Sequence, residues 1–375
     1  MAIFRIIFLF FFIFIVSIND NLYAKTIESK SGNFKLKEVK FSDLIGWDNE
    51  NFTLPLKAFL KSCNQIKNRD EDDSINSELY KIKIKDLANT CNVAGTVDKN
   101  NKDAAKEFFE KNFSPFLVID NDKDEYGLFT GYYITTINGS RVKNETYKYP
   151  IYKRPNNLDY TREEINNGAL DGEGLEIFYT DDKVDLAFLQ IQGSGIIRLE
   201  DGTEITLSYD GKNNYEYTSI GKIIAKYDYM EGKNINAITI KEWLKNNPDK
   251  IDEILNQNKS YIFFKENKGG QIRGAHGSIL TAYRSIAVDD SYMPYGFPFW
   301  LDTKINFDKK VRELRRIVIS QDTGSAIKGV VRGDIFFGDN EKAEKLASHM
   351  VFKGKYYILL PKSVSGTGFI FLRKW

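Results

Sequence analysis

The chain has few side chains that bind metal ions. Its 375 residues include only two cysteines and two histidines. The histidines, His276 and His349, lie far apart in the sequence, and neither has the spacing of a metal-binding motif. A zinc site would need more ligands than these, so the sequence argues against metal catalysis. We expect neither a metal ion nor a cofactor.

The chain also has almost no net charge. Its 53 Lys and Arg residues are balanced by 52 Asp and Glu residues, which leaves a formal charge of +1. A protein that binds nucleic acid or an anionic membrane surface usually carries an excess of basic residues. The composition therefore argues against a nucleic-acid partner.

Long apolar runs are scarce, and the clearest one lies near the N-terminus. Arg5 precedes an apolar run at residues 6–16, and Leu22-Tyr23-Ala24 has the small-residue pattern of a cleavage site. This pattern predicts a secretory signal peptide over residues 1–24. The apolar run is short for a membrane span, although an uncleaved anchor is the alternative. We expect a mature protein outside the cytoplasm.

The two cysteines, Cys63 and Cys91, have no other cysteine to compete for pairing. In an oxidising compartment such a pair favours a disulfide. Both lie in segments with helical spacing, so a bridge would connect two helices. No cysteine lies near the predicted cleavage site to accept a lipid.

Aromatic residues are abundant, with 21 Tyr and 27 Phe. They suit a surface that stacks on sugars, but a β-rich core is the more general use. Residues 25–50 read as extended, and residues 51–118 have helical spacing interrupted by a charged loop near 68–77. Ser114-Pro115 is expected to end the last of these helices.

From residue 116 the pattern changes to short strands and turns. Strands are predicted at Tyr126–Thr136, Tyr147–Tyr152, Leu186–Gln192 and Ile196–Leu207. Hairpin turns are expected at Asn138-Gly139, Asp201-Gly202 and Asp210-Gly211. Helices are predicted at Thr161–Ala169, where Thr161 and Glu164 form a capping-box pattern, and at Ser219–Tyr227 and Ile240–Asn258.

A second β-rich region begins after Lys259. Its predicted strands are Tyr261–Phe264, Ser285–Val288, Phe299–Leu301, Arg316–Ser320, Val330–Phe337 and Tyr356–Leu360. One helix, Glu341–Met350, lies among them. Several short strands with few helices favour a small closed barrel over a βαβ sheet, and a mainly β fold with some α-helix.

Two aspartates in residues 315–338 are the strongest catalytic candidates. Asp334 lies in a run of Val, Ile and Phe, and Asp322 begins an Asp-Thr-Gly turn. A carboxylate in apolar surroundings is costly unless it is paired or solvated, and such groups often have a useful raised pKa. Asp334 is therefore the first candidate for a general acid and Asp322 the second. The alternative for Asp322 is that it only caps a turn.

Several segments together resemble the membrane-bound lytic murein transglycosylase A family. They occur in the family's order over roughly residues 125–362. The matching segments are Phe129-Thr130-Gly131-Tyr132-Tyr133, Tyr149-Pro150-Ile151-Tyr152-Lys153-Arg154-Pro155, Phe188-Leu189-Gln190-Ile191-Gln192-Gly193-Ser194-Gly195, Tyr217-Thr218-Ser219-Ile220-Gly221, Arg284-Ser285-Ile286-Ala287-Val288-Asp289 and the stretch around Asp322 and Asp334.

The resemblance implies a two-domain fold. One domain would be a double-psi β-barrel formed by residues 25–124, which are mostly helical, and residues 256–375, which include the family's 3D (Asp-Asp-Asp) domain. A smaller β-domain, residues 125–255, would be inserted into it. A glycan strand would bind in the groove between the domains, where ligand sites are common.

The implied reaction is cleavage of the β-1,4 bond between N-acetylmuramic acid and N-acetylglucosamine in peptidoglycan. The muramoyl 6-hydroxyl attacks its own anomeric carbon and leaves a 1,6-anhydro end. Because the nucleophile is tethered in the substrate, one carboxyl can act first as acid and then as base. The resemblance assigns that role to Asp334.

The resemblance also suggests roles for other residues. Asp322 would hold or tune the Asp334 segment. Asp289 would be a supporting residue, with a strand-end hydrogen-bond acceptor as the alternative. The remaining sugar-binding candidates are Gln192 and Ser194, with Gln190 and Gln192 expected on one face of a strand and a Gly-rich strand end as the alternative. Tyr132 and Tyr133 would offer a stacking face, with one of the two pointing to the core. Lys328 would position the glycan or pair with a carboxylate, and a solvated surface lysine is the alternative.

The sequence departs from the family pattern at two places. Ile134-Thr135 stands where the family usually has Glu-Pro, and Gly324-Ser325 stands in place of Gly-Gly. The resemblance further implies a monomeric periplasmic protein whose partners are peptidoglycan strands and proteins of cell-wall synthesis or division. Without a lipid-attachment cysteine, an outer-membrane anchor is in doubt.

Two other functions stay open at this point. A hydrolase of β-1,4 glycans on a similar barrel would need a second carboxylate to activate water, and Asp289 or Asp322 could serve. A non-catalytic wall-binding protein would have no reason to retain two carboxylates in apolar surroundings.

Overall fold

The computed structural model describes residues 25–231, 235–308 and 310–366. The predicted signal peptide therefore lies outside the described residues. Within those ranges, no helix combines the length and apolar character needed to cross a membrane. The described chain is mainly β-structure with helices at its N-terminal end and around a second sheet, as the sequence predicts.

The strands are β1 (Thr26–Glu28), β2 (Phe34–Glu38), β3 (Phe113–Asp120), β4 (Gly127–Tyr132), β5 (Thr135–Ser140), β6 (Tyr149–Tyr152), β7 (Glu176–Thr180), β8 (Gly195–Arg198), β9 (Glu204–Lys212), β10 (Ile262–Glu266), β11 (Ser285–Val288), β12 (Pro298–Phe307), β13 (Lys310–Asp322), β14 (Arg332–Phe336) and β15 (Val351–Pro361). The helices are α1 (Thr53–Ile66), α2 (Ile84–Ala94), α3 (Lys102–Asn112), α4 (Arg162–Asn166), α5 (Lys183–Gln192), α6 (Ile220–Lys226), α7 (Ala237–Asn246), α8 (Ile251–Leu255), α9 (Glu341–Ser348) and α10 (Lys362–Gly366).

Six strands close into a barrel in the order β4-β14-β11-β13-β12-β15. The barrel closes because residues 351–354 of β15 pair with β4. Two of the pairings, β4 with β14 and β11 with β13, are parallel, and the others are antiparallel. Strands β3, β2 and β1 extend the sheet from β15. The predicted small closed barrel is therefore confirmed.

One strand that the sequence placed in the barrel lies in the second sheet instead. Ile262–Glu266 (β10) pairs with β9 in the second sheet, and Gly127–Tyr132 (β4) takes a place in the barrel. The pairing of β4 with β14 joins segments about two hundred residues apart, which a local sequence pattern cannot reveal. We therefore propose that the inserted domain begins after Tyr132 and ends at Glu266, rather than at 125 and 255.

The helical prediction for residues 51–118 is correct for three helices, and the last of them ends at Asn112, just before the Ser114-Pro115 pair that was expected to end it. Phe113–Asp120 forms strand β3 between β2 and β15. Nearly every side chain of β3 is buried. The apolar run Phe116-Leu117-Val118 thus suits a strand that is covered on both faces.

The second sheet has the order β10-β9-β8-β5-β7-β6. The prediction of a strand at Leu186–Gln192 is wrong, because these residues form the C-terminal part of α5. Asp182 caps this helix by accepting hydrogen bonds from the backbone of Val184 and Asp185, and Gly193 ends it with a φ of 76°. Most side chains of α5 are buried, so its apolar run lacks the helical period.

Two of the three predicted hairpin turns are also wrong. Asn138-Gly139 lies within β5, and Asp210-Gly211 lies within β9. A Cβ atom on Gly139 would lie 2.6 Å from the Cγ2 atom of Ile197, so this glycine allows close packing rather than a turn. Asp201-Gly202 does connect β8 to β9.

The remaining predicted helices are present. Thr161 and Glu164 form the expected capping box of α4. The segment Ser219–Tyr227 contains α6, and Glu341–Met350 contains α9. The long helix expected over Ile240–Asn258 is instead divided into α7 and α8 at Pro248.

A disulfide joins Cys63 of α1 to Cys91 of α2, 28 residues apart in the sequence. Helix α1 is also bound to the barrel through Gln321, a fully buried residue of β13. The amide nitrogen of Gln321 donates to the Ser62 hydroxyl (2.7 Å) and to the Ala58 carbonyl (3.1 Å). The N-terminal helices thus support the end of the strand that carries Asp322.

Candidate active site

Four residues form a row across the barrel. Asp322 on β13 and Asp334 on β14 both pair with Ala287 on the strand between them, and Thr130 on β4 pairs with Asp334. Side chains at paired positions share one face of a sheet. The small Ala287 side chain leaves room between the carboxylates, and all four residues line the same groove.

The groove has a volume of about 1080 Å³ and is lined from both sheets. The second sheet and its helices contribute polar and aromatic side chains, and the barrel contributes the row described above. The lining residues from the second sheet and the helices and loops around it include Arg162, Gln190, Gln192, Ser194, Tyr209 and Tyr217. A groove of this size could hold several sugar rings.

Asp334 is partly buried and has one oxygen without a described donor. The Thr130 hydroxyl donates to its Oδ1 atom at 2.6 Å. The Arg332 guanidinium donates to that same hydroxyl at 2.9 Å. Burial raises the pKa of the Asp334 carboxyl, and the Arg332 charge and the Thr130 hydroxyl oppose this increase. Among the described residues no donor reaches its Oδ2 atom, which leaves that oxygen available to a substrate.

Asp322, in contrast, is held on both oxygens. The backbone N–H groups of Ala275 and Thr323 donate to Oδ1 at 2.9 and 3.0 Å. The Tyr132 hydroxyl donates to Oδ2 at 2.8 Å. Burial raises the pKa of Asp322 to about 6, although these hydrogen bonds oppose the shift, and the charge of Asp334 adds to it. Asp322 therefore has less freedom than Asp334 to act on a substrate.

The other two carboxylates of the groove differ from Asp334 in exposure or pairing. Asp290 is exposed and accepts a hydrogen bond from the Tyr295 hydroxyl at 3.0 Å. Glu266 accepts two hydrogen bonds from Arg141. Asp334 thus combines partial burial, a raised pKa and a free oxygen.

Gln192 and Ser194 both line the groove, but not from a strand. Gln192 ends α5, and its side-chain oxygen accepts the backbone N–H of Tyr133 at 3.2 Å. Gln190 lies deeper and accepts a hydrogen bond from Arg162. The two glutamines therefore do not share the face of a strand, since they lie on a helix with different partners.

Of the two tyrosines expected to offer a stacking face, Tyr132 lines the groove and Tyr133 does not. Tyr132 is buried, its ring centroid lies 5.3 Å from that of Phe336, and its hydroxyl binds Asp322. Tyr133 is also buried and donates to Glu344 at 2.7 Å. Tyr132 therefore supports an acidic group through its hydroxyl, and its contact with a sugar stays a prediction.

Asp289 lies behind the groove. Its side chain is buried and accepts the backbone N–H of Gly329 at 2.8 Å. Lys328 is exposed, lines the groove and lies 3.7 Å from the Asp289 carboxylate. The structure thus favours a supporting role for Asp289, and it is the neighbouring Asp290 that lines the groove.

Several residues of the site were missed by sequence reasoning. Thr130 contacts Asp334 and Arg332 contacts Thr130 only because β4 and β14 pair in parallel. Ala275 holds Asp322 through its backbone, which leaves no side-chain signal. Ile134, at the departure from the family pattern, is buried in a small apolar cluster with Tyr132.

Two models of known domain families match the chain. The MltA specific insert domain matches residues 128–265, and the 3D domain matches residues 284–360. These two regions contain the second sheet and most of the barrel. The first region begins within β4 and ends within β10.

Curated relatives are the membrane-bound lytic murein transglycosylases A of Vibrio cholerae and Escherichia coli K12. The first is 34% identical over 246 residues, which is 64% of this chain and 66% of the relative. The second is 31% identical over 259 residues, which is 66% of this chain and 69% of the relative. The matched segment thus spans about two thirds of each relative's length.

Solved structures extend the similarity to most of the chain. MltA from Neisseria gonorrhoeae has a TM-score of 0.76 at 29% identity and covers 90% of this chain and 95% of its own. The Agrobacterium tumefaciens enzyme has a TM-score of 0.78 at 29% identity, covering 88% and 98%. Escherichia coli MltA with bound chitohexaose has a TM-score of 0.65 at 25% identity, covering 81% and 89%. The chain belongs to the membrane-bound lytic murein transglycosylase A family.

Proposed function

We propose that this protein is a lytic murein transglycosylase in which Asp334 serves first as the acid and then as the base. The observation that carries the proposal is the contrast between the two central carboxylates of the groove. Asp334 has a free oxygen, whereas both oxygens of Asp322 accept hydrogen bonds from the protein. The substrate is the β-1,4 bond between N-acetylmuramic acid and N-acetylglucosamine in peptidoglycan.

The first step needs a protonated carboxyl. Burial raises the pKa of Asp334, which favours the protonated form. Its proton passes to the glycosidic oxygen as the bond from that oxygen to the muramoyl anomeric carbon breaks. The leaving sugar carries the proton away as a new hydroxyl, and Asp334 becomes a carboxylate.

The second step uses that carboxylate as a base. Asp334 takes the proton of the muramoyl 6-hydroxyl while the oxygen of that hydroxyl bonds to the anomeric carbon. This bond closes the 1,6-anhydro ring. The proton returned to Asp334 restores the enzyme. The tethered hydroxyl reacts at a high effective concentration, so a second catalytic carboxylate is unnecessary. The Arg332 charge stabilises the carboxylate between the two steps.

Asp322 acts on Asp334 through its fixed position and its charge. The Tyr132 hydroxyl and the Ala275 and Thr323 backbone groups fix it at the end of β13. Gln192 and Ser194 bind hydroxyl and N-acetyl groups of the sugars from the opposite wall, and Lys328 contacts the glycan from the loop between β13 and β14.

A hydrolase is the second candidate function, since the groove holds further carboxylates. Such an enzyme needs a free carboxylate across the bond to activate water. The occupied oxygens of Asp322 favour the transglycosylase instead. The predicted signal peptide supports a periplasmic location, and we expect a monomer whose protein partners belong to cell-wall synthesis or division.

Product analysis tests this proposal. Peptidoglycan sacculi are incubated with residues 25–375 or with the Asp334→Asn or Asp290→Asn variant of that protein. The masses of the soluble muropeptides are then measured by mass spectrometry. We expect products one water lighter than hydrolytic products from the wild type and from Asp290→Asn, and none from Asp334→Asn. Asp290→Asn is the matched control, because Asp290 is another aspartate of the groove.

Three results would contradict the proposal, and each would indicate a different function or mechanism. Ordinary reducing ends would assign the protein to the hydrolases. Anhydro products from Asp334→Asn at the wild-type rate would remove Asp334 from the mechanism. Binding of sacculi without release of products by the wild type would indicate a wall-binding protein.

A further inference from the structure

A second cavity adjoins the groove on the second sheet. Its volume is about 620 Å³, and Tyr209 and Lys265 line both cavities. Its other lining residues are mainly polar and come from β9 and from the segments that follow β6 and β9. A glycan in the groove therefore has an open side space next to it, beyond the four-residue row that contains Asp334.

A β-bulge shapes this side cavity. The pairing of β9 with β10 shifts register between Phe263 and Phe264. Opposite this shift, Gly211 has a φ of +131°, a conformation that side chains rarely adopt. A Cβ atom on Gly211 would lie 2.8 Å from the Cδ atom of Arg154. The glycine thus makes room for the Arg154 side chain to lie across the bulge and line the cavity.

Arg154 is the unpaired cation of the side cavity. Lys265 lies 3.1 Å from Asp210, and Lys212 lies 3.3 Å from Glu216. Asp210 also accepts the backbone N–H of Arg154 at 3.4 Å. Across the described ranges, no hydrogen bond or ion pair involves the Arg154 guanidinium, which remains exposed to solvent. Its planar fork is suited to a carboxylate.

Tyr209 lies where the two cavities meet. Tyr209 is 49% exposed, so its ring is accessible to a ligand. Tyr209 is also next to Asp210, the residue that binds Lys265 and the Arg154 backbone. The boundary thus offers an aromatic face and the side cavity offers an unpaired arginine, which suits a chemical group that branches from a sugar and ends in a carboxylate.

We propose that the side cavity binds a carboxylate carried by a muramoyl residue of the glycan, with Arg154 as its partner and Tyr209 packing against the sugar or the branch. The inference rests on the proposed function, because only a peptidoglycan strand brings such branches into the groove. The carboxylate can belong to the stem peptide or, where the peptide has been removed, to the lactyl group. Arg154 is then a specificity residue that distinguishes peptidoglycan from uncharged glycans.

Binding measurements on three probes test the proposal. They are performed in the Asp334→Asn background, where no turnover should consume the probe. The probes are soluble glycan strands with intact stem peptides, amidase-treated strands that retain only the lactyl carboxylate, and chitohexaose, which has no carboxylate. Calorimetry gives Kd for Arg154→Gln and for the control Arg198→Gln, whose arginine pairs with Glu204 on the same sheet and lines neither cavity.

We expect Arg154→Gln to weaken binding of a carboxylate-bearing strand by about tenfold and of chitohexaose by less than about twofold. If only the peptide-bearing strands are weakened, a stem-peptide carboxylate is the ligand; if only the amidase-treated strands are weakened, the lactyl carboxylate is. Weakening of both means that the cavity accepts either carboxylate, because the lactyl carboxyl of an intact strand is bound in an amide. Arg154→Lys should restore part of the affinity, and Arg198→Gln should change none of the three Kd values.

Two outcomes would overturn the inference. One is an equal loss of affinity for chitohexaose, which would mean that Arg154 holds the fold or the sugar rings. The other is unchanged affinity for both anionic strands. Failure of the proposed function is distinguishable, because it would appear as missing anhydro products from the wild type whatever Arg154→Gln does to binding.

Discussion

Asp322 and Asp334 lie opposite the same residue, Ala287, on the two strands that flank β11. Neighbouring strands are about 4.8 Å apart, so the two aspartate backbones are separated by roughly 10 Å. That distance excludes backbone contact but not electrostatic coupling, and the charge of Asp334 does raise the pKa of Asp322. The barrel therefore places two acids within reach of one substrate while assigning them different surroundings.

The raised pKa of Asp322 predicts a pH-dependent gain of stability in the Asp322→Asn variant. The carboxyl has an ordinary value of 3.8 and a pKa of about 6 in the folded protein. Well below pH 3.8 it is protonated in both the folded and unfolded states, so it costs nothing; well above pH 6 the folded protein carries the full cost of a buried charge. We expect Asn to raise the free energy of unfolding by up to about 3 kcal/mol at pH 8 and to change it little at pH 4.

Thermal unfolding at pH 8 and pH 4 measures this difference. Asn keeps an oxygen to accept from the Ala275 and Thr323 backbone groups. Its NH2 group replaces the Oδ2 atom that accepts from Tyr132 and can donate to that hydroxyl instead, so the variant removes the charge while every position keeps a partner. A variant that is less stable than the wild type at pH 8 would show that the hydrogen bonds to the carboxylate outweigh its burial.

The hydroxyl of Thr130 predicts a shift in the pH profile. It donates to the Asp334 carboxylate at 2.6 Å and so lowers the pKa of that carboxyl against the effect of burial. Thr130→Val removes the donor, and the pKa should rise. Because the first step needs protonated Asp334, activity falls as pH rises through this pKa. We expect the alkaline limb of kcat/KM to move upward by about one pH unit.

Thr130→Ser is the matched control, since it retains the hydroxyl and should leave the limb in place. Anhydro-muropeptide release between pH 5 and pH 9 supplies the profiles. A downward shift in Thr130→Val would contradict the assignment of the limb to Asp334.

The sequence could predict the two acids because their surroundings are unusual at the level of composition. Asp334 stands among Val, Ile and Phe, and Asp322 begins a turn after an apolar strand. The sequence could not predict that Thr130 holds Asp334, because 204 residues separate them and a parallel pairing brings them together. Nor could it separate Asp289 from Asp290, since β11 ends just before them and the turn that follows decides which one lines the groove.

Burial explains why the sequence predicted a strand at Leu186–Gln192, where the structure has part of helix α5. Helix α5 is covered on most sides, so its sequence alternates between apolar residues and glutamines much as a strand does. The informative signals were at its ends, where Asp182 caps the first turn and Gly193 adopts a positive φ. The same region shows why glycine alone is ambiguous: Gly193 ends a helix, whereas Gly139 lies inside a strand.

The disulfide predicts a loss of stability on reduction. Cys63 and Cys91 connect α1 to α2 across 28 residues, and α1 supports Gln321 beside Asp322. In the chain-entropy model a bridge over a loop of this length contributes about 3.5 kcal/mol. We expect the Cys63→Ala/Cys91→Ala variant to unfold at a lower temperature than the wild type and to retain activity well below its midpoint. Equal midpoints for the variant and the oxidised wild type would contradict this expectation.

A contact between the barrel and the part of the chain around the second sheet is expected to set the width of the groove. Glu344 on α9, beside the barrel, accepts a hydrogen bond from Tyr133 and lies 3.4 Å from Lys241 on α7, beside the second sheet. Lys241 also lies 3.5 Å from Asp185, and its side chain is only 16% exposed. Partly buried pairs of this kind are screened less than surface pairs. The bridge should therefore hold the two walls of the groove at a fixed separation.

Lys241→Met keeps the length of the side chain and removes the charge, so the walls should separate more readily. Because the catalytic row lies wholly in the barrel, we expect KM for sacculus-derived strands to increase about fivefold with little change in kcat. Lys250→Met is the control, since it breaks an exposed pair with Glu253 within one short segment. A fall in kcat with unchanged KM would instead mean that the bridge acts on the position of Asp334, through Tyr133 and the end of β4.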